Sequence, residues 1–158
     1  MSEYKLIKEL LQKSNSSKWD IAKLEWKLED VYKILHSETC LCGHYPIIEI
    51  CELRNSLNNE LVIVGNCCVK KFTDLPSDKI FQSINRITKD KTKSFNAESI
   101  EHAFYKGWIN DWERNFYLDI WRKKNLTQKQ KEKKIQINQK IFTKLIKRRK
   151  IFQRIKNL

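Results

Sequence analysis

Glycine and proline are scarce in this chain of 158 residues, at three and two. That leaves little material for the turns of a sandwich or barrel and no glycine-rich loop to cradle a phosphate, so all-β, collagen-like and proline-rich architectures fall away. Histidine is scarce too: His36, His44 and His102 are the only three, and none stands in an H-E-x-x-H or similar paired motif. His36-Ser37-Glu38 spells the H-x-E of zinc deaminases, but no P-C-x-x-C follows it. A G-x-S-x-G elbow is missing as well. The carboxylates Asp111, Glu113 and Asp119 fall on one expected helix, where they solvate it or pair with Arg114 and Lys123. No catalytic motif emerges, and we expect a protein that is not an enzyme.

Long apolar runs are lacking. None approaches the ~18 residues of a bilayer-spanning helix, and the start Met1-Ser2-Glu3-Tyr4-Lys5 is too polar for a secretory signal. We expect an intracellular protein with no membrane partner. A composition of 32% charged and 41% hydrophobic residues fits a helix-rich chain, and the length suits one domain or a small domain with appendages.

Acids vanish from the end of the chain. Residues 1–121 hold 17 basic and 18 acidic side chains, whereas residues 122–158 hold 15 basic residues and one acid, Glu132. The overall charge of +13 thus comes entirely from a basic appendage on a neutral body. Lys-rich helical faces are often only solvated, and 25 Lys, 19 Ile and 12 Asn look like the product of an AT-rich genome. Such a bias would not remove acids, however. A dense cationic block repels itself until a polyanion neutralises it, and nucleic acid does so with counterion release. The candidate phosphate contacts are Arg122, Lys123, Lys124, Lys133, Lys134, Lys147, Arg148, Arg149, Lys150 and Arg154. An acidic protein surface would satisfy the same electrostatics, and Lys147-Arg148-Arg149-Lys150 could alternatively serve as a nuclear address.

Along the chain, Leu6, Ile7, Leu10 and Leu11 predict a helix from Ser2 to about Lys13. Ser17 and Asp20 form a capping signature, and Ile21, Leu24, Leu28, Val31 and Leu35 predict a second helix, giving a helical hairpin over residues 1–38. Over 39–75 the period changes. The run from Ile47 to Leu53, the turn cluster Asn55 to Glu60 and the run Leu61-Val62-Ile63-Val64 predict a β-hairpin. Residues 76–125 read as helices starting near Ser77, Asn96 and Asn110, with Gly107 between the last two. Trp108, Trp112, Phe116 and Trp121 are assigned to packing there, base stacking being the alternative. Thr127 and Gln130 make a capping box for a long basic helix over 126–158, running to about Lys156.

All five cysteines, Cys40, Cys42, Cys51, Cys67 and Cys68, fall within 29 residues. An odd count without an export signal argues against disulfides, and buried unliganded cysteines would not flank a turn, a hairpin and a helix start. Metal binding accounts for the pattern, because tetrahedral Zn²⁺ needs soft ligands delivered by short rigid elements. Gly43 allows a tight turn at Cys40-Leu41-Cys42, Cys51 comes from the first strand, and a helix beginning near Cys67 and Cys68 favours a thiolate. The expected ligands are Cys40, Cys42, Cys51 and Cys68, with Cys67 competing for the last place and His44 for that of Cys51. A site with four protein ligands leaves no place for a catalytic water, so the Zn²⁺ would be structural. The fold class that follows is helix-rich α+β, a zinc-stapled β-hairpin of ribbon or treble-clef kind among helices.

The segments Cys-x-Cys-Gly-His-x-x-Ile, Cys-x-Leu-x-Asn and Leu-Val-Ile-Val-Gly-Asn-x-Cys-x-Lys-Lys-Phe, between Cys40 and Phe72, resemble small zinc-binding accessory proteins of phages and large DNA viruses. In that pattern the last cysteine stands three residues after the glycine, which is Cys68 here. The stretch from Asn115-Phe116 to Leu126-Thr127-x-Lys129-Gln130 is similar to a helical tail in some of them. The resemblance covers about a fifth of the chain and implies a viral setting and a zinc fold rather than a reaction. The expected function is nucleic-acid binding in transcription, genome packaging or replication, placed in the host cytoplasm, the nucleus or the virion. The alternative is a module that binds a host or viral machine such as a polymerase, capsid protein or nuclease.

Overall fold

A computed structural model of the chain describes residues 2–70 and 77–147, with the side chains of Ser2 and Lys147 excepted. It is α+β and helix-rich, and its described residues divide into two compact units, one running to Ser77 and including Lys147, the other Asp78–Ile146. Among the described residues no helix is long and apolar enough to cross a membrane.

The first unit opens with helix α1 (Ser2–Lys13), whose Leu6 and Leu10 are fully buried. A short turn of helix, α2 (Trp19–Ala22), and a 3-10 turn (Lys23–Glu25) follow, and the chain then extends into β1 (Trp26–Glu38). The second expected helix is therefore a 13-residue strand. The residues that only the helical pattern required, Ile21, Leu24 and Leu35, are more than half exposed, while Trp26, Tyr32 and Ile34, spaced by multiples of two, are buried. Both periods were present in the sequence, and the neighbouring strand decided between them by offering an edge to pair.

That neighbour is β2 (Ile47–Asn55), which continues through the turn into β3 (Leu61–Gly65), the expected hairpin. The three longer strands run antiparallel in the order β3-β2-β1. Ile50 faces Tyr32 across the ladder, and with Ile34 they form one apolar cluster joined by Ile47 and Ile63. The alternate residues put Cys51 between Val31 and Val64, and Leu53 between Leu28 and Val62. Between Leu28 and Asp30 the β1–β2 register shifts, so that Asp30 lies opposite Glu52. Tyr32 donates its hydroxyl to Glu52 at 2.6 Å.

The buried carboxylate of Glu25 ties this unit together. It accepts from the backbone N–H groups of Asn15 and Ser16, both at 2.9 Å, and from Asn55 Nδ2 at 2.7 Å. The end of α1, the entry to β1 and the hairpin turn thus meet on one side chain. Burial raises the pKa of Glu25, but the three donors outweigh it and hold the carboxyl below its ordinary value.

In the second unit four helices follow: α4 (Ser77–Lys89, its first residue in the first unit), α5 (Ala97–Tyr105), α6 (Asp111–Ile120) and α7 (Gln128–Leu145). Three of the expected caps form. Asn96 accepts from Ser99 N–H, while Asn110 with Glu113 and Thr127 with Gln130 make reciprocal capping boxes. Gly107 ends α5 at a φ of +73°, a left-handed conformation that glycine adopts without penalty. The core contains Phe81, Ile84, Phe95, Ile100, Ile120, Ile137 and Ile141. Inside it, Tyr117 Oη accepts from Phe95 N–H at 2.8 Å and donates to Asn138 Oδ1 at 2.5 Å, and Asn138 Nδ2 donates to the carbonyls of Lys91 and Lys93. Burial pushes the Tyr117 hydroxyl's pKa well up, keeping it a donor.

The last helix is shorter than expected. It ends at Leu145, where Ile146 turns extended and opens the two-residue strand β4 (Ile146–Lys147). The basic run beyond Lys147 lies outside the described residues.

Two stability tests follow. Glu25→Gln should destabilise the protein by about 1.5–3 kcal/mol at neutral pH, the range for a hydrogen bond to a charged group. Because the folded pKa of Glu25 is depressed, its contribution is present above the unfolded carboxyl's ordinary 4.5 and is lost as pH falls through the folded value. Denaturant melts of the parent should therefore approach those of the variant on acidification. Tyr117→Phe should cost about 1–3 kcal/mol at every pH from about 5 to 8, since it strips Phe95 N–H and Asn138 Oδ1 of a shared partner without changing volume.

Candidate metal centre

The chain between β1 and β2 makes a tight knuckle. Cys40 N–H donates to His44 O at 2.9 Å and Gly43 N–H to Cys40 O at 2.8 Å, with Gly43 at a φ of +90°. The knuckle is fastened to β3 by Leu41 N–H, which donates to Ile63 O at 3.1 Å. The end of β3 and the single turn α3 (Asn66–Val69) then bring Cys68 to it. The Sγ atoms of Cys40, Cys42 and Cys68 all lie within 4.8 Å of one another, and those of Cys40 and Cys68 are 3.5 Å apart.

This spacing suits a metal and not a disulfide. A disulfide needs its sulfurs at ~2.05 Å. A tetrahedral ion with metal–sulfur bonds of ~2.3 Å spaces its sulfurs about 3.8 Å apart, close to what the three thiols already show. Backbone amides aim at the sulfurs as they do in thiolate sites: Gly65 N–H donates to Cys40 Sγ at 3.2 Å and His44 N–H to Cys42 Sγ at 3.4 Å. Cys40 is held down to a pKa of about 5, first by its hydrogen bond with Cys68 and then, against the opposing effect of burial, by Gly65 N–H. Cys68 moves up for the complementary reason, since its proton is the one shared with Cys40. The α3 turn is too short for a helix dipole to matter, so local N–H groups do what a helix N-terminus was expected to do.

Of the four expected ligands the structure gathers three. Cys51 is fully buried on β2 between Val31 and Val64, and it is not among the clustered thiols. Its spacing in sequence suited a ligand, but strand alternation commits its side chain to the face it shares with two valines. Cys67 is exposed, one residue from Cys68. Both Cys67 and His44 line an open cleft of about 410 Å³ that also contains the three clustered cysteines. The three thiols could hold a metal ion, and all three line this cleft.

The candidate phosphate contacts are more scattered. Arg122, Lys123 and Lys124 are exposed in the α6–α7 connection, although Lys123 reaches Asp119 at 3.3 Å and Arg122 lies over the Trp121 ring at 4.5 Å. Lys133 sits 5.3 Å above the ring of Trp112. Lys134 turns inward and donates to Ser94 Oγ at 3.3 Å; burial, then the charge of Lys93, lowers its pKa. Lys147 stands in β4, and Arg148, Arg149, Lys150 and Arg154 lie outside the described residues. Four further lysines on α7, Lys129, Lys131, Lys140 and Lys144, are exposed as well.

No known family, curated protein or solved structure matches the chain.

If the three gathered thiols are the ligands, native mass spectrometry of the metal-loaded protein should show one ion per chain. Cys40→Ser, Cys42→Ser and Cys68→Ser should each lower the affinity by roughly tenfold or more, whereas Cys51→Ala should retain the ion while losing some thermal stability. Loss of the ion in Cys51→Ala with the fold intact would place that residue back in the site.

Proposed function

We propose that this chain is a non-enzymatic nucleic-acid-binding accessory protein whose fold is stabilised by a structural Zn²⁺ held by Cys40, Cys42 and Cys68, acting in a viral setting in transcription, packaging or replication. The observation that carries the binding proposal is the segregation of charge: 15 bases against one acid after Trp121. Exposed cations in the α6–α7 connection and along α7 add to it. Phosphates of either DNA or RNA would satisfy this surface, and contacts to phosphate set position without reading sequence, so affinity should depend steeply on salt and weakly on sequence.

Zn²⁺ is the ion we assign, because thiolate sulfur is its preferred donor and its tetrahedral bond lengths suit the spacing of the three thiols. The ion would cross-link the knuckle to the end of β3 and so hold the hairpin's open end. His44 or Cys67 would complete the coordination from the cleft. The viral setting is supported by the motif resemblance between Cys40 and Phe72.

Deleting everything after Trp121 is a poor test, because Ile137, Asn138, Ile141 and Leu145 are core residues of the second unit. The triple variant Arg122→Gln, Lys123→Gln, Lys124→Gln keeps that core. Anisotropy titrations of DNA and RNA should show binding that weakens with salt, and the variant should reduce the slope of log affinity against log salt by about 0.9 for each duplex phosphate it no longer neutralises. No binding by the full chain at low salt would leave a protein partner as the better account of the basic segment.

A further inference from the structure

Trp112 departs from the packing role its spacing suggested. It is 59% exposed, although Ile120, two turns along the same helix, is buried. A single exposed aromatic ring is unremarkable on a protein surface. This one has company: the Phe116 ring lies parallel to it at 7° with a centroid distance of 5.2 Å, and Lys133 Nζ is 5.3 Å from its centroid. Helical geometry extends the pattern. At ~100° per residue, Lys129, Lys133 and Lys144 fall within about 60° of one another on α7 and span about 22 Å along its axis. Lys140 belongs to the same side, and it reaches back to Glu113 on α6 at 2.9 Å, so this flank of α7 is the one beside α6. Two acids of α6 near this flank are matched by bases: Glu113 by Lys140 and Asp119 by Lys123.

We infer that the α6–α7 flank is a binding platform for single-stranded nucleic acid, in which a base stacks at the exposed Trp112 ring while Lys129, Lys133 and Lys144 follow the phosphates. The inference rests on the nucleic-acid reading above and adds the form of the ligand. A duplex hides its base faces within its own stack and has no use for an exposed indole. A single strand offers an unstacked base to an aromatic ring and its backbone to an adjacent row of cations, and this pairing is how sequence-tolerant single-strand sites are built. For the base to lie on the face nearest Lys133, the ammonium swings from the ring to a phosphate, exchanging one favourable interaction for another.

The test uses the full, metal-loaded chain in anisotropy titrations with oligo(dT), oligo(U) and a mixed-sequence duplex of equal length, over a salt series. Trp112→Ala should weaken both single strands about tenfold, leave the duplex unchanged and preserve the salt slope, since no charge is removed. Trp112→Phe should restore most of the loss. Lys129→Gln with Lys133→Gln should lower the salt slope for single strands, and Lys131→Gln, on the opposite side of α7, should lower it less. Circular dichroism melts would show that each variant is folded. Equal weakening of duplex and single strands by Trp112→Ala, or no effect on either, would overturn the platform while the basic surface still binds. Absence of any binding by the parent chain would overturn the platform and the nucleic-acid reading together.

Discussion

A strand buried on both sides needs a partner along each edge and a cover on each face, and β2 is such a strand. Ile50, Cys51, Glu52 and Leu53 are consecutive and all buried, so along this central stretch both the odd and the even side chains of β2 are covered, although Ile48 nearer its start is exposed. Its backbone N–H and C=O groups have to be satisfied within the protein, which β3 does on one side through the hairpin and β1 on the other. Much of the first unit follows from this demand. It draws residues 26–38 out of the helix their spacing suggested, and it places the β1–β2 connection at the open end of the hairpin. The knuckle of Cys40 and Cys42 therefore arrives beside the last residues of β3.

The same strand separates the cysteines by role. Cys51 is an interior residue of the ladder, packed between valines as a small apolar side chain. Cys40, Cys42 and Cys68 stand where the ladder ends, on backbone that points its N–H groups at sulfur. The hydrogen bond between Cys40 and Cys68 favours one thiolate and one thiol, lowering the pKa of Cys40 and raising that of Cys68, and a second or third thiolate in so small a space would repel the first. A divalent cation turns the repulsion into attraction. That exchange is the physical reason a site of this kind couples metal binding to the integrity of the fold.

Charge in the second unit has been partly spent on structure. Lys140 neutralises buried Glu113, Lys134 closes on Ser94, and Lys123 answers Asp119. Among the cations that still face outward are a cluster in the α6–α7 connection and a row along one flank of α7. The buried Tyr117–Asn138 network holds α6 against α7, so the geometry of that flank is set by hydrogen bonds in the core rather than by the surface residues themselves.

Much of the architecture was legible in the sequence, where the signals are local. Capping residues Asn96, Asn110 and Thr127, the terminator Gly107, and the β-prone runs around Asn55 to Glu60 act within a few residues, and each element they mark is present. The clustering of cysteines and the loss of acids after Trp121 belong to composition and need no fold to be seen. Tertiary structure alone decided what depends on neighbours distant in sequence. It chose strand over helix for 26–38 because β2 offered an edge, and it left Cys51 out of the thiol cluster because alternation gave its side chain to the valine-lined face. It exposed Trp112, while Ile120 two turns later took the core. Local propensity proposes such elements, but which side chain faces which is settled by the partner across the ladder or across the helix pair.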